Sequence, residues 1–248
     1  MAASRGRLGR DTPPVPRHIG IAAVSPEGAA LFYRSLSRRL AAIPPDQLAP
    51  RDHPRISIHN EPLGAYIDAL QVGDWMRIGG LLRRSAEKLA GCGAEFCLTP
   101  DNAVQHAIQL AEVGSPIPWL TITDLVAESV VSARLRTVGL IGTRLVMAGS
   151  TYQTVLGLRG IHVLTPDERD AEAINAIIFN ELIYGRQVPE SQRKVMDIIA
   201  TLGARGCEGV ILGCSEAPLL VTAEQSPLPV FDAVAILAEG AARRAVAN

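Results

Sequence analysis

Two stretches decide how this chain is read: Gly93-Ala-Glu-Phe-Cys-Leu-Thr-Pro-Asp101-Asn102 and Gly206-Cys-Glu-Gly-Val-Ile-Leu-Gly-Cys214-Ser215. Laid over one another, they match Gly93 with Gly206, Glu95 with Glu208, and Asp101 with Cys214. The residues before them keep the register, with Leu82 over Val195, Ala86 over Ile199 and Leu89 over Leu202. A second block also repeats. His18-Ile-Gly-Ile-Ala-Ala-Val24 lies over the apolar run ending Val138-Gly-Leu-Ile-Gly-Thr143, which puts Gly20 on Gly139, Tyr33 on Tyr152 and Leu36 on Val155. Two matched blocks in the same order indicate internal duplication.

Each block opens with a short apolar strand, continues through a polar cap and enters a helical pattern. Val24 runs into Ser25-Pro26-Glu27, a start signal with proline in the first turn. Pro44, Pro45 and Pro50 end that first helix, and Arg55 to His59 alternates like a strand. Trp75 to Leu89 reads as a helix and Glu95 to Leu98 as a strand, after which Thr99 to Asn102 turns into another helix. Strands alternating with helices predict an α/β fold with a mostly parallel sheet. Open parallel sheets hold ligands beyond the carboxyl ends of their strands. The Asp101 and Cys214 loops are therefore expected to approach one ligand from opposite sides of a cleft between the two halves.

The chain is near neutral, with 24 basic against 25 acidic side chains, so it carries no field to hold a polyanion or an anionic membrane. Aromatic residues are only 4% of it, too few for a base-stacking surface. A small-molecule ligand is expected, with no nucleic acid and no membrane as partner. Cys92, Cys97, Cys207 and Cys214 show neither a disulfide framework nor zinc spacing, which points to reduced thiols, no metal and a cytoplasmic location. No apolar run approaches the roughly 20 residues of a membrane span. Residues 1–17, with four arginines and three prolines, read as a disordered tail, an Arg-rich transit segment being the alternative.

From about His18 to Gly240 the chain resembles the aspartate/glutamate racemase superfamily of cofactor-independent amino-acid racemases. The resemblance is carried by Ile19 to Glu27, Thr99-Pro-Asp-Asn102, Gly139-Leu-Ile-Gly-Thr-Arg144, Ile177-Ile-Phe-Asn-Glu-Leu-Ile-Tyr-Gly185 and Gly209-Val-Ile-Leu-Gly-Cys-Ser-Glu-Ala-Pro-Leu-Leu220. It implies two Rossmann-like domains related by a pseudo-twofold duplication, a site in the cleft, no cofactor and a homodimer. The expected organisation is a first domain from 18–121 and 222–248, and a second from 122–221. By position, Cys214 matches a catalytic cysteine. Asn102, Thr143 and Ser215 match groups holding a substrate carboxylate, Ser25 matches the first loop's substrate contact, and Glu216 supports the Cys214 loop.

The departures bear on mechanism. Asp101 stands where the family has its first catalytic cysteine, Ala103 replaces a threonine, and Gln105 replaces a histidine, with His106 one position on. Phe231 to Leu237 lacks the threonines and histidine common in that segment. A two-cysteine mechanism is excluded. An Asp–Cys pair remains chemically sound, because racemisation needs two opposed acid/base groups. Two negative charges about 7 Å apart repel by about 2 kcal/mol at an effective dielectric near 20, which raises the pKa of one of them. A thiol at a helix start is expected to have a lowered pKa.

The leading expectation is an isomerase: a racemase or epimerase at the α-carbon of an aspartate- or glutamate-like amino acid, with Cys214 and Asp101 on opposite faces. The alternatives are a one-cysteine decarboxylase or cis–trans isomerase, and an inactive ligand-binding relative. A dinucleotide-binding dehydrogenase is weaker still, since neither strand–turn carries GxGxxG. Each residue also has a plainer role open to it: Cys214 as a small buried hydrophobe, Asp101 as a helix cap, and Tyr33 and Tyr152 as core. His59 and His106 are further candidates for the cleft wall.

Overall fold

The computed structural model describes residues 15–49 and 52–247. The first half runs β1 (Ile19–Ala23), α1 (Pro26–Ala41), β2 (Ile56–Asn60), α2 (Leu63–Gln71), α3 (Trp75–Gly91) and β3 (Phe96–Leu98). A 3₁₀ turn (Asn102–Ala107), α4 (Ile108–Glu112) and α5 (Ile122–Ser132) lead out of it. The second half comprises β4 (Thr137–Gly142), α6 (Arg144–Ala148), α7 (Thr151–Gly157), β5 (His162–Leu164) and α8 (Glu168–Asn180). It continues through α9 (Pro189–Ala204), β6 (Gly209–Gly213), β7 (Val230–Asp232) and α10 (Ala233–Val246).

All strand pairs are parallel, in two sheets ordered β2-β1-β3 and β5-β4-β6-β7. β1 and β6 are buried along their whole length, as strands covered by helices on both faces must be. Trp119 forms a lone parallel bridge with Cys97 at the edge of the first sheet, the place that β7 fills beside β6 in the second. Both halves thus repeat one order of strands, in agreement with the expected α/β duplication.

The duplication extends to individual contacts. The amide of His18 donates to Oε1 of Glu95 at 2.9 Å, and the amide of Thr137 donates to Oε2 of Glu208 at 3.0 Å. Each glutamate fastens the start of the neighbouring strand in its own half. Gly93 and Gly206 both take left-handed backbone, at φ 87° and 95°, where a side chain would be strained. A Cβ on Gly20 would meet Leu89, and one on Gly139 would meet Leu202, so the matched glycine–leucine pairs are matched close approaches. The tyrosine pair departs from expectation. Tyr152 is buried, but Tyr33 is 42% exposed on the outer face of α1.

The helices after each sheet cross over. α5 leaves the first half and packs on α7 of the second, α10 packs back on α1 of the first, and α5 and α10 pack on each other. The segment 222–248, expected in the first domain, is therefore divided. Its three-residue strand β7 covers the open edge of β6, and only α10 returns. The amide of Arg17 donates to the carbonyl of Ala245 at 2.8 Å, so the ordered fold begins before the expected boundary at 18. The rest of the expected tail, residues 1–14, lies outside the described residues. Among the described residues no helix is long and apolar enough to cross a membrane.

Candidate active site

The carboxyl ends of β1, β3, β4 and β6 converge on a cleft of about 210 Å³ between the halves. Its walls include Ser25, Asp101, Asn102, Thr143, Cys214, Ser215 and Glu216, the residues assigned catalytic, binding or supporting roles from the sequence. Ala103, Val146, Ile178, Phe179, Ile183 and Gly213 complete it. A larger hollow of about 510 Å³ lies on the far side of Ser215, between α1 and α10, and neither Asp101 nor Cys214 lines it. Size is therefore not the guide to the chemistry here.

Each wall residue is held by an ordinary local device. Ser25 caps α1, its hydroxyl accepting from the amide of Gly28 at 3.2 Å. Thr143 caps α6 through the amide of Val146 at 3.4 Å. The hydroxyls of Ser25 and Ser215 converge from opposite halves, since a Cβ on Gly28 would lie 3.6 Å from both oxygens. Asp101 Oδ1 accepts from the amide of Ala103 at 2.9 Å, so the capping role is real. Gln105 is buried and its Nε2 donates to the carbonyl of Asp101 at 3.0 Å, making it a brace for this loop. Asn60, not singled out from the sequence, pins the end of β1 by donating to the carbonyls of Ala23 and Val24 at 3.1 and 3.2 Å.

Two expectations fail. The Asp101 and Cys214 loops open short 3₁₀ turns (Asn102–Ala107 and Ala217–Leu219), so no long helix directs its dipole at either group. The Cys214 thiol is accordingly raised well above its usual pKa. Burial is the main cause, and the charge of Glu216 and its hydrogen bond add to it; the amides of Glu216 and Ala217 oppose it without prevailing. Cys214 Sγ donates to Oε2 of Glu216 at 2.9 Å, and the Ser215 hydroxyl donates to the same oxygen at 2.8 Å. Asp101 is pushed up to about 6, first by burial and then by the charge of Glu216, against the amide of Ala103. The charge coupled to Asp101 is thus Glu216 rather than a thiolate at Cys214.

Asn102 links the halves. Its Oδ1 accepts from the Tyr152 hydroxyl at 2.6 Å, while its Nδ2 is buried with no partner. Buried polar groups are normally satisfied, so a donor left open beside a cleft is poised for a ligand. The histidines take no part in the cleft wall. His59 meets the Ser85 hydroxyl at 3.1 Å, and His106 packs edge-on against Trp75 in a neighbouring hollow. Leu237, where the resemblance suggested polar groups, is fully buried in the core. Cys97 and Cys207 are buried and Cys92 exposed, all as free thiols away from the cleft. The lysines, Lys88 and Lys194, also lie outside it, so no amine is placed to form a Schiff base there.

Residues 21–241 match the family model for Asp/Glu/hydantoin racemases. The chain belongs to this family. Among solved structures, a candidate Asp/Glu racemase from Yersinia pestis is 31% identical, with a TM-score of 0.86 over 93% of this chain and 100% of the other. An aspartate racemase homologue from Pyrococcus horikoshii is 25% identical, with a TM-score of 0.80 over 91% of this chain and 97% of the other. An aspartate racemase from Picrophilus torridus shares the fold at 17% identity, with a TM-score of 0.72 over 92% and 94% of the two chains. Membership in the Asp/Glu/hydantoin racemase family supports a racemase-type activity on a small molecule.

Proposed function

We propose that the protein is a cofactor-independent racemase or epimerase acting at the α-carbon of an amino acid, with Asp101 and Cys214 as the acid/base pair. The supporting observation is that these two residues, matched by the internal duplication, line a single cleft from opposite halves. Near neutral pH a carboxyl with a pKa of about 6 is mostly ionised, whereas the thiol keeps its proton. Asp101 then takes the α-hydrogen of one enantiomer as a proton, and Cys214 delivers its own proton to the opposite face of the carbanion. Turnover leaves a protonated carboxyl and a thiolate, which is the state that converts the other enantiomer. Glu216, bonded to Cys214 and electrostatically felt by Asp101, supports the loop and tunes both groups. The substrate carboxylate meets the hydroxyls of Ser25 and Thr143 and the open amide of Asn102, donors free to face it where negative charge grows in the carbanion, and Ser215 joins them by turning its proton away from Glu216. Metals have no part in this reading, and the working unit is a cytoplasmic homodimer.

The test is to incubate single enantiomers of amino acids in D₂O with the protein and follow the α-proton by NMR. Wash-in of deuterium with inversion is expected. Complete retention of the α-proton across acidic and neutral amino acids would contradict the proposal. A second reading draws on Asp101 Oδ1 being engaged as a cap: Cys214 alone protonates a carbanion formed by loss of CO₂. Release of CO₂ from a substituted malonate, abolished in Cys214→Ala, would favour it.

A further inference from the structure

The walls of the cleft are chemically lopsided. Two carboxyls, Asp101 and Glu216, sit on the polar side. The apolar part of the lining comes from the second half: Val146 on α6, Ile178 and Phe179 on α8, and Ile183 just beyond it. Phe179 and Ile183 are 51% and 41% exposed, so they leave apolar surface open to a ligand at the cleft. Among the described residues, no arginine, lysine or histidine lines the cleft. The cation next in sequence, Arg144, is committed to ion pairs with Glu168 and Glu172.

We infer that the substrate carries an uncharged, apolar substituent on its reacting carbon, seated on Phe179, Ile183, Ile178 and Val146, and not a second carboxylate. This rests on the racemase reading of the same site and narrows its substrate. The hydroxyls and amides at the strand ends suffice for one carboxylate or carbonyl. A side-chain carboxylate would have to lie against the apolar wall, losing its water without gaining a counter-ion, or approach Asp101 and Glu216, which repel it. An isobutyl or benzyl group instead covers the exposed faces of Phe179 and Ile183 and gains by leaving water. Acidic and apolar substituents are thus separated by charge as well as shape.

The experiment compares deuterium wash-in for four amino acids and their four hydantoins, with isobutyl, benzyl, carboxymethyl or carboxyethyl as substituent. Hydantoin rates are corrected for uncatalysed exchange. The full-length protein is used throughout. The apolar members of a set should exceed its acidic members by roughly tenfold or more in kcat/KM. Ile183→Arg, at a half-exposed position that tolerates the change, should raise KM for the apolar members and lower it for the acidic ones. Equal or faster exchange of the acidic members overturns the inference while leaving the racemase reading standing. Exchange confined to the apolar hydantoins supports the inference and removes the free amino acid from the function. No exchange with any of the eight overturns both.

Discussion

The Tyr152 hydroxyl, from the second half, donates to Oδ1 of Asn102, from the first, at 2.6 Å, and so ties the two walls of the cleft together. Removing that hydroxyl leaves a buried acceptor without its partner and frees the Asn102 side chain to turn. Tyr152→Phe is expected to lose about 1–2 kcal/mol of stability. It should also raise KM more than it lowers kcat if, as proposed, Asn102 binds substrate without moving protons. Denaturant unfolding and steady-state kinetics on the same variant check both parts.

Asp101 stores a conflict between stability and chemistry. Its folded pKa of about 6 exceeds the ordinary value of 3.8, so the folded protein holds the proton more tightly than the unfolded chain. The stability linked to this group is complete below pH 3.8, is lost as pH rises to about 6, and stays lost above that. Asp101→Asn keeps the cap on Ala103 without the charge. At pH 7 it should be more stable than the parent by about 3 kcal/mol, with most of the gain gone near pH 4, and it should not racemise. Thermal melts at the two pH values decide the matter.

The thiol of Cys214 should be slow to alkylate despite facing a cleft. Burial and the Glu216 carboxylate both keep it protonated, whereas Cys92 is exposed. Mass-spectrometric labelling with iodoacetamide at pH 8 should modify Cys92 first. Glu216→Gln removes a negative charge beside the sulfur, so its half-labelling pH at Cys214 should fall. A rise in that pH would show that Glu216 activates the thiol instead.

Much of this site can be read in the chain because duplication supplies an internal comparison. Gly93 and Gly206, Glu95 and Glu208, and the loops ending in Asp101 and Cys214 are recognisable by register alone, and the glycines and the glutamates do the same work in each half. The apolar wall is not legible that way. Ile178, Phe179 and Ile183 lie in an apolar helical pattern that could face core or solvent equally, and only the packing of α8 beside the cleft decides. The short strand β7 carries too few residues for a strand pattern, which is why its place in the second sheet is a tertiary result. The sense of the Cys214 shift was likewise hidden. Spacing suggests a helix start and a stabilised thiolate, whereas burial and Glu216 set the balance.

The seam between the halves depends on a close approach of α10 to α5. A Cβ on Gly240 would lie 3.0 Å from Cδ2 and 3.3 Å from Cγ of Leu125, with Cδ1 nearer still. Gly240→Ala improves helix propensity but displaces the buried Leu125 side chain from its place between these helices, and the net cost should be about 1–3 kcal/mol. Leu125→Ala in the same chain should restore part of it. A double-mutant cycle by denaturant unfolding gives the coupling.

The assignment of one acid/base group to each face is tested most directly by following both enantiomers of a turned-over substrate in D₂O with two variants. In Cys214→Ser the carboxyl still works its own face, and in Asp101→Asn the thiol works the other once the assay pH is raised far enough to ionise it. Each variant should therefore lose inversion yet exchange the α-hydrogen of one enantiomer, and the two variants should choose opposite enantiomers. Exchange of the same enantiomer by both variants, or inversion surviving in either, would contradict a cleft with one working group on each side.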